Sequence, residues 1–256
     1  MQTYTEAIVK KVPKTIASAL TTADLGSPDY EKACEQHERY VGALRDCGIE
    51  ITVLEADDKF PDSVFIEDTA VVTDRCAIIT NPGEETRRGE VHDTAGVLSE
   101  RYGNVELIRS PGTLDGGDVL QVGDHFYIGL TQRTNPEGAE QLADVLRNHD
   151  FDATFVSVRK FLHLKTGIAY LSNNDLLVAG ELADHATFER FDKIVVTPEE
   201  EYCANCIRVN DHVLVPEGCD RATAEIVERG YEVIELGMSE FEKLDGGLSC
   251  LSLRLQ

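Results

Sequence analysis

The 256-residue sequence contains no hydrophobic run that approaches the roughly 20 residues needed to cross a membrane. Its first dozen residues lack the apolar core of a signal peptide and are typical of a β-strand. Basic residues are scarce as well, because 24 Lys and Arg stand against 47 Asp and Glu, for a formal net charge of −23. We therefore expect a cytoplasmic protein that binds neither membrane nor nucleic acid, since both repel an acidic surface.

The seven cysteines are an odd number in a chain that is large enough to fold without disulfide bonds. Because no export signal is present, we expect reduced thiols. Cys203 and Cys206 form a CxxC pair, but the sequence offers neither a second CxxC nor a nearby pair of histidines. A structural zinc site needs four such ligands, so we expect no metal here.

One pattern recurs along the chain. A leading strand passes through a turn rich in Asn, Asp or Gly into a second strand, and a helix and a further strand follow. Such turns between alternating strands predict hairpins, and apolar residues spaced by three and four predict helices. Four copies have leading strands at 64–72, 118–122, 167–171 and 206–209, and helices near 87–102, 136–148, 183–190 and 221–229.

A fifth copy is complete only when the two ends of the chain are joined. Its leading strand is 248–255, its second strand is 7–12, its helix covers about 29–47 and its last strand is 49–54. A repeat of roughly 40–50 residues that is shared by both termini predicts a closed ring. We therefore predict a single α/β domain, residues 1–256, of five ββαβ-type units around an axis. The alternative is a series of ordinary α/β modules in two domains.

Polar residues cluster where the leading strands of four units begin. In a ring these positions converge, so a cysteine, a histidine and several carboxylates would meet at the centre. The thiolate could attack a carbon while the imidazole moves protons, and the carboxylates could bind a guanidinium. Each residue alone also has a structural interpretation, namely a buried cysteine, a core histidine or acids at an exposed edge. The residues are Asp62, Glu67, Asp68, Asp115, Asp118, His163 and Cys250.

Two arginines interrupt this acidic pattern. Arg87 and Arg133 both follow the second strand of their unit, so both could reach the same rim, and a pair of arginines suits a carboxylate. Together with the guanidinium site they indicate an α-amino acid with a guanidino tail. The negative field should also raise the pKa of Cys250, so that the thiolate forms mainly when a cationic substrate is bound.

Seven motifs, in this order, resemble the dimethylarginine dimethylaminohydrolase family of the pentein superfamily over essentially the whole chain. They are FPDSVFIED (60–68), PGEETRRGE (82–90), LDGGDV (114–119), RTN (133–135), LHLK (162–165), ANCI (204–207) and DGGLSC (245–250). The resemblance implies a five-bladed α/β propeller around a central pore, and chemistry that uses neither metal nor organic cofactor.

The resemblance also assigns roles by position. Cys250 matches the nucleophile, His163 the general acid/base and Asp115 the orienting carboxylate. The substrate-binding matches are Glu67 and Asp68 for the guanidinium, Asp62 and the Leu244 carbonyl for the α-amine, Arg87 and Arg133 for the carboxylate, and Leu20 within a lid at 18–26.

The function that the resemblance implies is hydrolysis of N(omega)-methylated arginines to L-citrulline and dimethylamine or methylamine, through a covalent thiouronium on the cysteine. One alternative is a compact hydrolase that acts like an arginine deiminase on an unmethylated guanidino amino acid. The other is a catalytically silent protein that binds arginine derivatives. The expected partner is a small-molecule substrate, and a homodimer is possible.

Overall fold

The computed structural model describes residues 3–256 as fifteen strands and five α-helices, joined by short 3-10 turns. The helices are α1 (Tyr30–Asp46), α2 (Val91–Tyr102), α3 (Pro136–Asn148), α4 (Asp220–Glu228) and α5 (Ser239–Glu242). The strands are β1 (Glu6–Lys10), β2 (Glu50–Leu54), β3 (Ala70–Val72), β4 (Ala77–Ile79), β5 (Glu106–Leu107), β6 (Val119–Val122), β7 (His125–Leu130), β8 (Asp152–Ser157), β9 (Ile168–Ser172), β10 (Asp175–Val178), β11 (Asp192–Val195), β12 (Ile207–Val209), β13 (His212–Pro216), β14 (Glu232–Leu236) and β15 (Leu253–Leu255).

These strands form five three-stranded sheets, one for each predicted unit. In every sheet the inner strand is antiparallel to the middle strand, which is parallel to the outer strand. The fifth sheet has the order β15-β1-β2 and pairs Glu6 with Leu255 and Ile8 with Leu253. The prediction of a five-unit α/β ring closed by its two ends is therefore confirmed.

The hairpin turns follow from their residue types. Asn173 and Asn174, between β9 and β10, have φ values of 48° and 73°, and Asn210, between β12 and β13, has a φ of 53°. Asn tolerates this left-handed region better than most residues, and two-residue hairpins need it. These Asn turns thus set the pairing of β9 with β10 and of β12 with β13.

The helix predicted at 183–190 is wrong. The segment forms two 3-10 turns, Gly180–Leu182 and Ala186–Phe188, while Leu182 and Phe188 are fully buried. The side chain of His185 accepts a hydrogen bond from the Thr187 backbone N–H, and such a local bond competes with helix formation. The other four units contain their helices close to the predicted positions.

Five apolar clusters fill the spaces between neighbouring units, and each draws residues from at least two units. Ile8 and Leu253 of the fifth unit pack with Ile66 and Ile79 of the first, for example. Since a unit cannot bury its apolar faces alone, every unit depends on its neighbours. We therefore propose that the chain folds as one domain. Among residues 3–256 no helix has the length and apolar character needed to cross a membrane.

The expectation of reduced thiols is contradicted at one pair. Cys203 and Cys219 form a disulfide across 16 residues, with a Cα–Cα distance of 5.9 Å. The two residues meet because Cys203 lies beside β13 and the start of α4, where both half-cystines are buried in one apolar cluster. Cys206 is a separate buried thiol, so the CxxC does not act as a unit.

The leading strands begin later than the sequence predicts, because a 3-10 turn comes before each of them. We call these five segments the inner turns. Their side chains project successively about 120° apart, whereas those of a strand alternate between two faces. The inner turns are Ile66–Thr69, Gly116–Asp118, Leu164–Thr166, Pro198–Ala204 and Ser249–Leu251.

Candidate active site

The inner turns contact one another around the axis of the ring. They carry or flank the polar residues predicted to converge, so the predicted meeting point is correct although the local conformation differs. A small cavity of about 30 Å³ lies there. Its lining includes eight predicted site residues, namely Leu20, Asp62, Asp68, Arg87, Arg133, His163, Leu244 and Cys250, which we call the pocket.

Cys250 lies in the middle of an inner turn and faces the pocket. Its Sγ accepts a hydrogen bond from the Gly247 backbone N–H at 3.4 Å. Burial, together with the nearby Glu67 and Asp68 carboxylates, raises the pKa of the thiol to about 12. The direction agrees with the sequence prediction, and it keeps the thiol neutral in the unliganded protein at neutral pH.

His163 is surrounded by three carboxylates. Its Nδ1 lies 3.4 Å from Asp118 Oδ2, and its Nε2 lies 3.9 Å from Asp68 Oδ1 and 4.0 Å from Asp115 Oδ2. Burial alone would lower the pKa of this imidazole, but Asp68 and Asp118 oppose burial, with Asp115 assisting, and raise the pKa to about 9. The histidine is therefore an imidazolium at neutral pH, a form that can donate a proton.

Asp118 is the carboxylate nearest to the histidine ring. The sequence places it among the acids that converge at the centre, but the assignment of roles gave it none. It accepts hydrogen bonds from Thr134 Oγ1 at 2.6 Å, Thr131 Oγ1 at 2.8 Å and the Leu164 backbone N–H at 2.9 Å. Its orientation is therefore fixed. The second aspartate of the Asp-Gly-Gly-Asp motif was the available signal, but sequence spacing does not show which of the two reaches His163.

Asp115, the expected orienting carboxylate, is completely buried. Its Oδ1 accepts a hydrogen bond from the Gly83 backbone N–H at 2.8 Å, whereas its Oδ2 has no hydrogen-bond partner among the described residues. Burial and the neighbouring Asp68 raise the pKa of Asp115 to about 7. An unpartnered buried acceptor is costly, so this oxygen is suited to an N–H donor supplied by a ligand.

Arg87 is buried in an ion cluster. Its Nη1 lies 2.7 Å from Asp68 Oδ2, its Nη2 lies 2.9 Å from Glu90 Oε2, and Nη2 also donates to the Phe65 carbonyl at 3.1 Å. Burial alone would raise the pKa of Asp68, but His163 and Arg87 lower it to about 2. The resemblance assigns Arg87 to the substrate carboxylate, yet most of its donors are already bound to protein acceptors.

Arg133 differs from Arg87 because, among residues 3–256, it has one ion pair and that pair is long. Its Nη1 lies 3.6 Å from Glu84 Oε1, and its side chain is 14% exposed. Asp62 lies across the pocket and accepts a hydrogen bond from the Leu20 backbone N–H at 3.0 Å. Burial raises the pKa of Asp62. These contacts leave Arg133 as the arginine better able to reach a ligand.

Glu67 is the one predicted guanidinium-binding residue that the structure directs elsewhere. Its carboxylate accepts hydrogen bonds from Lys165 Nζ at 2.6 Å, Ser249 Oγ at 2.9 Å and Arg254 Nη2 at 3.2 Å. It lines a different space of about 130 Å³, which we call the second cavity. The assignment of Glu67 to the guanidinium stays a prediction, and in this structure two protein cations bind its carboxylate oxygens.

Asp68, Asp115 and His163 place one donor atom each within 4.8 Å of one another, which is a spacing that could hold a cation. Two carboxylates and one imidazole can chelate a metal ion, but carboxylates can equally pair with a planar guanidinium. Arg87 already places a guanidinium against Asp68, at 2.7 Å. The arrangement therefore suits an organic cation without a metal.

Residues 26–251 match the family model for N,N dimethylarginine dimethylhydrolase, eukaryotic. The chain belongs to the dimethylarginine dimethylaminohydrolase family. It is 49% identical to the N(G),N(G)-dimethylarginine dimethylaminohydrolase of Pseudomonas aeruginosa, over 96% of this chain and 98% of that relative.

Two solved structures of this family superpose closely on the chain. A cysteine-to-serine variant of the Pseudomonas aeruginosa enzyme, complexed with citrulline, has a TM-score of 0.98 at 47% identity and covers 99% of this chain and 100% of its own. A histidine-to-glycine variant, an adduct with S-methyl-L-thiocitrulline, has a TM-score of 0.97 at 47% identity and covers 98% and 99%. The family and the five-bladed fold expected from the sequence are thus confirmed.

Proposed function

We propose that this chain hydrolyses N(omega)-methylated arginine to L-citrulline and dimethylamine or methylamine. The observation that carries the proposal is a cysteine that shares a small pocket with a histidine and an excess of buried carboxylates. Such a pocket suits a cationic electrophile with many N–H donors, and a guanidinium is both. The citrulline complex and the thiocitrulline adduct of close relatives support the same chemistry.

Substrate binding uses the two ends of the pocket differently. The guanidinium binds between Asp68 and Asp115, whose unpartnered Oδ2 accepts one N–H. At the other end, Asp62 and the Leu244 carbonyl accept from the α-amine. Arg133 binds the α-carboxylate, and Arg87 contributes mainly by holding Asp68 in place.

The reaction begins when the bound cation offsets the field that keeps Cys250 protonated, and the thiol then releases its proton to water. The thiolate attacks the guanidinium carbon, and His163 donates a proton to the methylated nitrogen as the carbon–nitrogen bond breaks. Methylamine or dimethylamine leaves, and a thiouronium remains on Sγ. The neutral imidazole then takes a proton from water, whose oxygen adds to the same carbon. Collapse expels the thiolate and yields citrulline.

The segment 18–26 acts as a lid that opens for each substrate. A cavity of about 30 Å³ is far smaller than the pockets that hold small-molecule ligands, so the lid must move before an arginine can enter. Thr21 and Thr22 close the lid by hydrogen bonds to Asp245, and Leu20 bonds to Asp62. Closure excludes water while the thiouronium forms.

The possible homodimer stays a prediction from the sequence.

The test measures citrulline formation from asymmetric dimethylarginine and from arginine. The wild-type chain is compared with Cys250→Ser and with the control Cys34→Ser, which removes another partly exposed thiol. We expect turnover of the methylated substrate only, abolished in Cys250→Ser and retained in Cys34→Ser. Turnover of arginine alone would indicate the deiminase alternative. Tight binding of both compounds without turnover would indicate the binding protein.

A further inference from the structure

The fourth unit supplies no residue to the catalytic arrangement described so far, although its inner turn contacts that of the third unit. The residue that follows this turn, Asn205, is only 3% exposed. Its side chain lies against Gly247 and Cys250. A buried carboxamide must satisfy both its donor and its acceptor, so its partners show what it holds in place.

Both ends of the Asn205 carboxamide are directed at the cysteine turn. Its Oδ1 accepts a hydrogen bond from the Ser249 backbone N–H at 3.0 Å, and its Nδ2 donates towards Cys250 Sγ at 3.9 Å. Gly247 is required beside it, because a Cβ at that position would overlap the carboxamide. Tyr202 supports the same loop by donating from its hydroxyl to the Gly246 carbonyl at 2.8 Å.

We propose that Asn205 is the positioning residue of the nucleophile, which holds the Gly247–Cys250 turn and donates to Sγ as the thiolate forms. The inference rests on the proposed function, in which Cys250 attacks the substrate. Glu67 and Asp68 disfavour a negative sulfur, so a neutral donor offsets part of that penalty without adding a charge that would repel the cationic substrate. The 3.9 Å contact shortens when the sulfur becomes anionic.

The test exploits the difference between an amide and a carboxylate. Asn205→Asp retains an acceptor for Ser249 but loses the donor to sulfur, whereas Asn205→Ala loses both. The control is Asn210→Asp, which makes the same change in a carboxamide whose partners are the backbone of Tyr4 and Cys47. The primary measurement is the rate at which iodoacetamide alkylates Cys250 at about pH 8. Peptide mass spectrometry follows the extent of modification at this residue.

We expect both Asn205 variants to be alkylated about tenfold more slowly than wild type, which corresponds to about one unit in the thiol pKa. The Asn210→Asp control should match wild type. In citrulline assays kcat should fall by a similar factor or more while KM changes less than about twofold, because ground-state binding is intact. Alkylation reports on the thiol whether or not the chain hydrolyses methylarginine, so the two proposals fail separately.

Wild-type alkylation rates in folded Asn205→Asp would overturn the proposal, since the donor would then have no effect on the sulfur. A slow rate in Asn205→Ala alone would overturn it too, because it would reduce Asn205 to an acceptor for Ser249. If the alanine variant fails to fold by circular dichroism, Asn205→Ser takes its place, because it removes the carboxamide donor without adding a carboxylate, whose charge would itself raise the thiol pKa.

Discussion

The pocket and the second cavity are each lined by an acid from the same inner turn, Ile66–Thr69, and the two acids are neighbours in the sequence. Asp68 lines the pocket, and Glu67 lines the second cavity. In the second cavity two cations, Lys165 and Arg254, bind one carboxylate at 2.6 and 3.2 Å, so its acid is fully used. A 3-10 turn separates neighbouring side chains by about 120°, which sends the two acids in different directions.

The pocket has the opposite charge balance, with more carboxylates than protein cations. Three carboxylates lie around His163. The buried Arg87 pairs with one of them, Asp68, and also pairs with Glu90. The pocket therefore has spare acceptor capacity for a cationic ligand, whereas the second cavity does not. The function of an acid thus depends on how many protein cations already bind it, which its position in the sequence does not reveal.

The largest expected effect comes from exchanging each acid for its amide. Asp68→Asn should lower kcat/KM by roughly a thousandfold, since Asp68 faces both the substrate and His163. Glu67→Gln should cost about tenfold or less, although it weakens the buried ion pairs and lowers the free energy of unfolding by about 3 kcal/mol. Steady-state kinetics and denaturant titration of both variants measure the difference.

Equal losses of activity in the two variants, with both chains folded, would show that the two acids do not differ in function. Glu67 would then act on the substrate as the family resemblance implies, and the second cavity would be part of the catalytic site.

A smaller effect is the pH dependence of folding stability, which arises because the pocket holds His163 in its charged form. The pKa of His163 is raised to about 9 from an ordinary value of 6.5. Its interactions therefore stabilise the fold fully below about pH 6.5 and are lost as the pH rises through 9, an effect on the order of 3 kcal/mol. Asp68, with its pKa lowered to about 2, stabilises the fold above about pH 4 and loses this as the pH falls through 2.

The measurement is the difference in unfolding free energy between wild type and His163→Gln from about pH 6 to pH 10. We expect the advantage of wild type to shrink as the pH passes 9. An advantage that stays constant over this range would show that the three carboxylates do not hold the histidine in its charged form.

The smallest expected effect comes from replacing an arginine of the pocket, with an arginine of the second cavity as the control. Arg133→Lys should raise KM for the methylated substrate about tenfold, or about 1.4 kcal/mol, because a lysine cannot form the bidentate pair with a carboxylate. Arg254→Lys, the same change in the second cavity, should leave KM within about twofold. Both values come from initial rates of citrulline formation. An unchanged KM in Arg133→Lys would indicate that Arg87 alone binds the carboxylate.

The sequence anticipated much of the architecture because the relevant signals are local. The Asn-rich hairpin turns and the apolar spacing of four helices act over a few residues, and closure by β15 and β1 follows from counting units. The helix expected at 183–190 failed because His185 forms a competing local bond. The positions of Cys250 and His163 at the ring axis were predictable, whereas the 3-10 conformation that presents them was not.

The repeat, the ring and the set of residues that meet at its centre can be predicted from the sequence, since each depends on periodicity or on the order of motifs. The acid that faces each cavity, the aspartate that reaches His163 and the pairing of the cysteines become clear only in the folded chain. Those outcomes depend on contacts between distant segments, such as Lys165 with Glu67, 98 residues away, or Asn205 with Cys250, 45 residues away. Local patterns carry no information about such contacts, because the packing of neighbouring units sets them.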